Sequence, residues 1–149
     1  MANREKAAKV IEGRDSGDDL VQAAKEGNLP VVLAFIALGL PLNAVTSDVN
    51  RQTPLFHASC CNHRSIVAAL VLAHASVDVV DAFGNTPLLI SAANGQVEVC
   101  KRLIEGGKCK SINKADGAGN TPLKWAVANN KTEVIAPKVQ RRQRITRTL

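Results

Sequence analysis

Thr53-Pro54-Leu55 returns as Thr86-Pro87-Leu88 and again as Thr121-Pro122-Leu123, at steps of 33 and 35 residues. A tripeptide recurring at that period restricts the chain to stacked copies of one supersecondary unit, since a unit this short cannot bury a core alone. Each copy also sets an aspartate five residues before its threonine, at Asp48, Asp81 and Asp116. Threonine before proline starts a helix. The hydroxyl accepts a free N–H of the first turn, and proline at the first helical position lacks the N–H that would go unpaired there.

The residues after each leucine are small: Ala58-Ser59, Ser91-Ala92 and Ala126-Val127, with Ala23-Ala24 in a partial first copy. Together with the leucine they make a helix face on which the next copy can stack closely. The chain must then reverse, which favours a residue tolerant of the left-handed conformation. Gly27, Asn62, Gly95 and Asn130 stand at that point. Apolar second helices are predicted over Leu29 to Leu38, Ser65 to Ala73 and Val97 to Glu105, with Gly39, His74 and Gly107 after them. Histidine is the unusual member of that trio, because it bears positive φ less well than glycine. Leu29 to Leu42 carries no charge, but 14 residues with two prolines read as a buried helix, too short for a bilayer.

Aspartate, Thr-Pro-Leu and the downstream alanines in one register resemble the ankyrin-repeat family. The resemblance implies an all-α solenoid of paired antiparallel helices joined by β-hairpin-like loops, in about four copies over residues 18–136. The expected divisions are an N-terminal extension (1–17), a capping repeat (18–45), two full repeats (46–79 and 80–113), a truncated last repeat (114–137) and a basic arm (138–149). It also implies a binding scaffold rather than an enzyme, with no cofactor, no metal and no small-molecule substrate.

The chain departs from the family in several places. The family's histidine after Thr-Pro-Leu is replaced by Phe56, Leu89 and Lys124, so the ties between repeats are expected to be weaker or more apolar. Asn43 to Thr53 spans ten residues where Asn113 to Thr121 spans eight, and Lys108-Cys109-Lys110 reads as a bulge. The first copy opens with Ser16-Gly17-Asp18-Asp19, with Asp18 near the N-cap. In the last copy Pro137 should stop the second helix, at a cost of about 3 kcal/mol if the helix continued. Trp125, Val134 and Ile135 are then expected to form an apolar end.

Charge divides the chain. Its net +6 is concentrated in residues 138–149, where Lys138, Arg141, Arg142, Arg144 and Arg147 meet no acid. The remainder holds 14 basic against 13 acidic residues. Such an arm either stays solvated or seeks an acidic surface by salt-sensitive attraction. Met1 to Gly17 mixes both signs without an apolar core, which excludes a secretory signal and disfavours a mitochondrial presequence. Cytoplasm, including its cytoskeleton, is the expected location.

Cys60, Cys61, Cys100 and Cys109 with His57, His63 and His74 invite a zinc reading, but no Cys-x-x-Cys exists, and adjacent Cys60 and Cys61 point about 100° apart on a helix. They read as reduced thiols. Gly117-Ala118-Gly119-Asn120 lacks the Gly-Lys-Ser/Thr of a phosphate loop and reads as a hairpin.

By the resemblance, partner-binding residues lie on hairpin tips and the inner helices of the concave side. Mapped by position they are Val49, Asn50, Gln52, Ala82, Phe83, Asn85, Asn94, Ala118, Asn120 and Asn129, with Trp125 at the end and Cys60, Cys61, Ala93 and Ala128 beside them. Phe83 either folds back on its neighbour or, if exposed, anchors a partner. This face is neutral, which disfavours a nucleic acid lying in it. The expected function is a protein adaptor or subunit of a larger assembly, its arm docked on an acidic surface. Two alternatives are an RNA- or ribosome-associated protein held by the arm and a stoichiometric protein-kinase inhibitor of the ankyrin type.

Overall fold

In a computed structural model that describes residues 2–13, 17–106, 108–131 and 133–134, the fold is a two-layer helical stack. Helices α1 (Ala2–Val10), α2 (Gly17–Glu26), α3 (Leu29–Ala37), α4 (Pro54–Cys60), α5 (Arg64–Leu72), α6 (Pro87–Ala93), α7 (Val97–Lys101) and α8 (Pro122–Ala128) follow in order. The described residues contain no strand. Helices α2, α4, α6 and α8 stack as one layer, α3, α5 and α7 as the other, and α1 lies against α3. The core runs the length of the stack, from Ala7 and Ile11 through Phe35, Leu70 and Leu103 to Ala126.

The helix starts follow the Thr-Pro chemistry. Thr53, Thr86 and Thr121 take extended backbone, and their hydroxyls accept from the N–H groups of Phe56, Leu89 and Lys124 at 3.2, 3.1 and 3.2 Å. All four reversal residues have positive φ: Gly27 78°, Asn62 59°, Gly95 70° and Asn130 55°. At Gly27 glycine is also needed for space, whereas at Gly95 only the flexible, exposed Lys131 side chain would have to move. A Cβ would stand 2.8 Å from the His63 ring at Gly27 and 2.7 Å from Lys131 Cδ at Gly95.

The third copy differs from expectation. Helix α7 stops at Lys101, and a π turn continues it over Arg102–Gly106. The positive φ after the helix falls on Lys108 (52°), while Gly107 lies outside the described residues. Counted from the N-caps, the left-handed residue comes eleven positions after Asn28 and His63 but twelve after Gln96. The π turn absorbs that one extra residue, because each i→i+5 bond loops out one residue without breaking the helix. A 3-10 turn at Ser111–Asn113 takes up the next. The expected bulge is therefore partly internal: Cys109 is buried, and only Lys108 and Lys110 face solvent.

Polar ties join the copies where apolar or weaker contacts were expected. Along the tips, Ala82 N–H donates to the Asn50 carbonyl at 2.9 Å and Gly117 N–H to the Phe83 carbonyl at 3.0 Å. Along the first-helix layer, His63 Nε2, Gln96 Nε2 and Asn129 Nδ2 each donate to a carbonyl of the preceding copy, those of Lys25, Cys60 and Ala93, at 3.1 Å. These bonds occupy the C-terminal carbonyls that each first helix leaves open. They tie the copies from two other positions of the repeat, just after the reversal at His63 and Gln96 and just before it at Asn129.

A third ladder joins the outer loops. Asn43 Oδ1 accepts from Ser76 N–H at 2.8 Å, and Asp78 accepts from the N–H groups of Lys110 and Ser111 at 3.1 and 3.0 Å. Partial burial pushes the Asp78 pKa up, but bonds from the Ser111 hydroxyl, the Lys110 and Ser111 N–H groups and the Cys109 thiol outweigh it, leaving the pKa below 3.8. A carboxyl with a depressed folded-state pKa adds stability above the unfolded value, and that stability is lost as pH falls through the folded pKa. Urea midpoints of the chain should therefore fall below about pH 4, and Asp78→Asn should flatten part of that slope. Identical slopes for both proteins would show that Asp78 contributes nothing to acid sensitivity.

Candidate protein-binding face

Each hairpin tip is built around its aspartate. Asp48 Oδ1 accepts from the Asn50 and Arg51 N–H groups and from the Thr46 hydroxyl. Asp81 Oδ1 accepts from Phe83 and Asn85 N–H, both at 2.9 Å, and Oδ2 from Asn85 Nδ2 at 3.2 Å and Gln52 Nε2 at 3.5 Å. Asp116 Oδ1 accepts from Ala118 and Asn120 N–H, both at 2.9 Å. The Thr46 bond holds the Asp48 carboxyl below its ordinary range, and the Asn120 N–H followed by the Trp125 indole does so at Asp116. Backbone N–H groups converge on an ionised acceptor, and the tips are held in shape by it.

This bracing leaves the tip side chains outward. Phe83 is 61% exposed, so it does not fold back on its neighbour. Val49, Ala82 and Ala118 are exposed beside it along the row of tips. Phe83 and Ala118 stand two residues after a tip aspartate and Val49 stands one, so each of three successive tips presents an apolar side chain, although the position equivalent to Phe83 in the first of them holds Asn50.

Several polar members of the expected face serve the fold. Asn85 and Gln52 are bound to Asp81, Asn129 to the Ala93 carbonyl, and Asn50 to the neighbouring tip through its carbonyl. Asn120 is tied to Asp116. Asn94 is exposed as the C-cap of α6. Trp125 is half-buried, and its indole N–H donates to Asp116 Oδ2 at 2.9 Å, so it braces the last tip instead of forming a bare apolar end. Val134 is half-buried against the core. Ile135, Pro137 and the arm residues Lys138, Arg141, Arg142, Arg144 and Arg147 lie outside the described residues.

Sequence reasoning weighed His57 only as a zinc ligand and did not foresee that Leu123 and Val127 are exposed. His57 shares one helix face with Cys60 and Cys61 through its i+3 and i+4 spacing, a signal that was available. Its Nε2 is buried and makes no hydrogen bond among the described residues. Burial and then nearby Lys25 lower its pKa against the opposing pull of Asp48, so the ring is neutral at pH 7. Both neighbouring cysteines are exposed, while Cys100 and Cys109 are buried. Among the described residues no three His, Cys, Asp or Glu side chains are grouped to hold a metal. Nor is any helix among them long and apolar enough to cross a membrane.

A family model described as ankyrin repeats (3 copies) matches residues 65–136. Residues 65–136 are ankyrin repeats. The same helix pairing continues upstream of the match, through α2 with α3 and α4 with α5. Three relatives share part of it. A transient receptor potential cation channel, subfamily A member 1, of Drosophila melanogaster is 35% identical over 69 residues, 46% of this chain and 6% of the channel. A protein named "Probable E3 ubiquitin-protein ligase" from Oryza sativa subsp. japonica is 30% identical over 95 residues, 63% of this chain and 21% of its own length. The ankyrin repeat and KH domain-containing protein mask-1 of Caenorhabditis elegans is 34% identical over 93 residues, 59% of this chain and 3% of that protein. The chain thus spans about a fifth or less of each relative. The last of these carries ankyrin repeats in its name, and ankyrin repeats are a protein-interaction fold.

Proposed function

We propose that this chain is a non-catalytic adaptor, or a structural subunit of a larger assembly, that grips a protein partner along its hairpin tips and first-helix layer. The observation that carries the reading is Phe83. Its side chain is 61% exposed, yet its own N–H is bound to Asp81 and its carbonyl receives Gly117 N–H. A large apolar group on a braced backbone loses little entropy when it is covered, which is what an interface anchor requires. Val49 and Ala118 extend the same row. The solenoid's end and the basic arm, from Lys138 to Arg147, add a second contact to an acidic surface. Cytoplasm is the compartment in which exposed Cys60 and Cys61 would stay reduced.

Phe83→Ala tests the reading better than a change at Asn85, whose side chain holds the tip together. Partner affinity should fall by about 2 kcal/mol, read by titration calorimetry against a partner recovered from the native source, while the thermal midpoint stays within about a degree. Unchanged affinity would remove the tips from the interface.

A further inference from the structure

The end of the stack formed by α8 differs from the inner copies in one systematic way. At the leucine of Thr-Pro-Leu, Leu55 is 1% and Leu88 3% exposed, but Leu123 is 46% exposed. Four residues on, Ser59 and Ala92 are buried at 0% and 2%, whereas Val127 is 60% exposed. Between them, Phe56 and Leu89 are buried where Lys124 is exposed. In the inner copies this face receives the neighbouring first helix, as α4 receives α6. Leu123, Lys124 and Val127 therefore present a helix-shaped seat whose centre is apolar and whose flank is cationic.

Charge is also polarised along the stack, although the chain outside the arm is nearly neutral in sum. Residues 17–100 hold three Lys and Arg against seven Asp and Glu. Residues 101–131 hold seven against two, and all seven cations are exposed. One of the two acids, Asp116, is committed to its tip and to Trp125. Residues 138–149 add five cations and no acid.

We infer that the α8 face is a docking seat for an acidic amphipathic helix of a partner protein. Its apolar stripe would cover Leu123 and Val127, its carboxylates would meet Lys124, and the excess of cations over residues 101–131 would favour its approach. This rests on the adaptor reading and specifies the chemistry of the partner at that end. Other occupants fit less well. A second copy placed end to end would set Lys124 against its own counterpart, which opposes association. At the opposite end α1 already covers the α3 side through buried Ala7 and Ile11, which narrows the face open to head-to-tail stacking. A nucleic acid would satisfy the cations but offers phosphates to Leu123 and Val127, which gain nothing from them. The arm's own sequence is cationic and cannot neutralise the seat.

The test uses the full chain and two synthetic helical peptides of about 20 residues with one apolar stripe at i, i+3, i+4 and i+7, flanked by glutamate in one and by lysine in the other. The glutamate peptide should bind, by anisotropy of a labelled peptide, and the lysine peptide should bind at least roughly tenfold more weakly. Lys124→Glu should weaken the glutamate peptide roughly tenfold and strengthen the lysine peptide. Val127→Asn should weaken the glutamate peptide roughly tenfold, and its helical circular dichroism should match the parent chain, since the site is exposed. Phe83→Ala should leave the peptide bound. If Val127→Asn and Lys124→Glu have no effect, the peptide is held by the arm and the inference is overturned. It is equally overturned if an oligothymidylate displaces the peptide and loses affinity in Val127→Asn, or if sedimentation shows a dimer that Val127→Asn dissolves. Such failures leave the tip reading intact, because that reading is judged on Phe83→Ala and the native partner.

Discussion

Leu88→Ala should lower folding stability by about 3 kcal/mol, whereas Leu123→Ala, the same residue of the repeat one copy later, should cost less than about 1 kcal/mol. Leu88 is 3% exposed between α6 and its neighbours, and truncation there leaves a cavity that surrounding helices fill only partly. Leu123 is 46% exposed, so its loss removes little buried surface and opens no cavity. Equilibrium urea unfolding followed at 222 nm decides between them through the shift in midpoint at constant slope. The comparison holds chemistry and register constant and varies only burial. Equal losses at the two positions would mean that α8 is covered as fully as α6 in solution, and the seat described above would not exist.

Asp81→Ala should be nearly as costly, about 2–4 kcal/mol, although it removes no apolar contact. Asp81 is buried, and its two oxygens accept from Phe83 N–H, Asn85 N–H, Asn85 Nδ2 and Gln52 Nε2. Alanine strands those donors in a part-buried turn, where each loses its partner without full access to water. Asp81→Asn keeps one carbonyl oxygen for the two N–H groups and should recover more than half of the loss. Asp48→Ala, at an exposed tip, should cost clearly less. The second consequence is functional. With Asp81 gone the Phe83 backbone is no longer braced from its own tip, so partner affinity should fall even though Phe83 is unchanged. Wild-type stability in Asp81→Ala would show that the backbone bonds between tips hold them without the carboxylate.

Legibility in the sequence followed the range of the interactions. The threonine caps, the first-turn prolines and the four left-handed residues were readable because each depends on partners within a few positions. Thr86 needs only Leu89 N–H, three residues away, and Gly27 needs only its own φ. Register also carried the small-residue face at Ala58, Ser59, Ser91 and Ala92, all of them buried as expected. The reading failed where the same position meets a different neighbour. Val127 continued that pattern in sequence but is exposed, since burial there depends on what lies beyond α8 and not on α8 itself.

The candidate binding face was legible as a set of positions, not as a set of free side chains. Val49, Phe83 and Ala118 could be placed on tips by counting from an aspartate. That Phe83 points outward, while Asn85, Gln52 and Asn129 are spent on holding tips and helix ends, required the folded chain. Asn129 bonds to a carbonyl 36 residues away, and no local pattern marks such a pair. The π turn shows the same limit from the other side. Counting revealed two surplus residues in the third copy, but whether a helix or a loop would absorb them depended on packing. The Val71 methyl lies against Gly106 and Cys109 is drawn under Asp78, so the surplus is divided between a helical turn and a short 3-10 turn. By itself the sequence determined the repeat, its period, its helix starts and its reversals, because those are set by backbone preference and bonds inside one unit. Tertiary structure alone decided which equivalent residues are buried and which are left exposed, because exposure belongs to the contact between units.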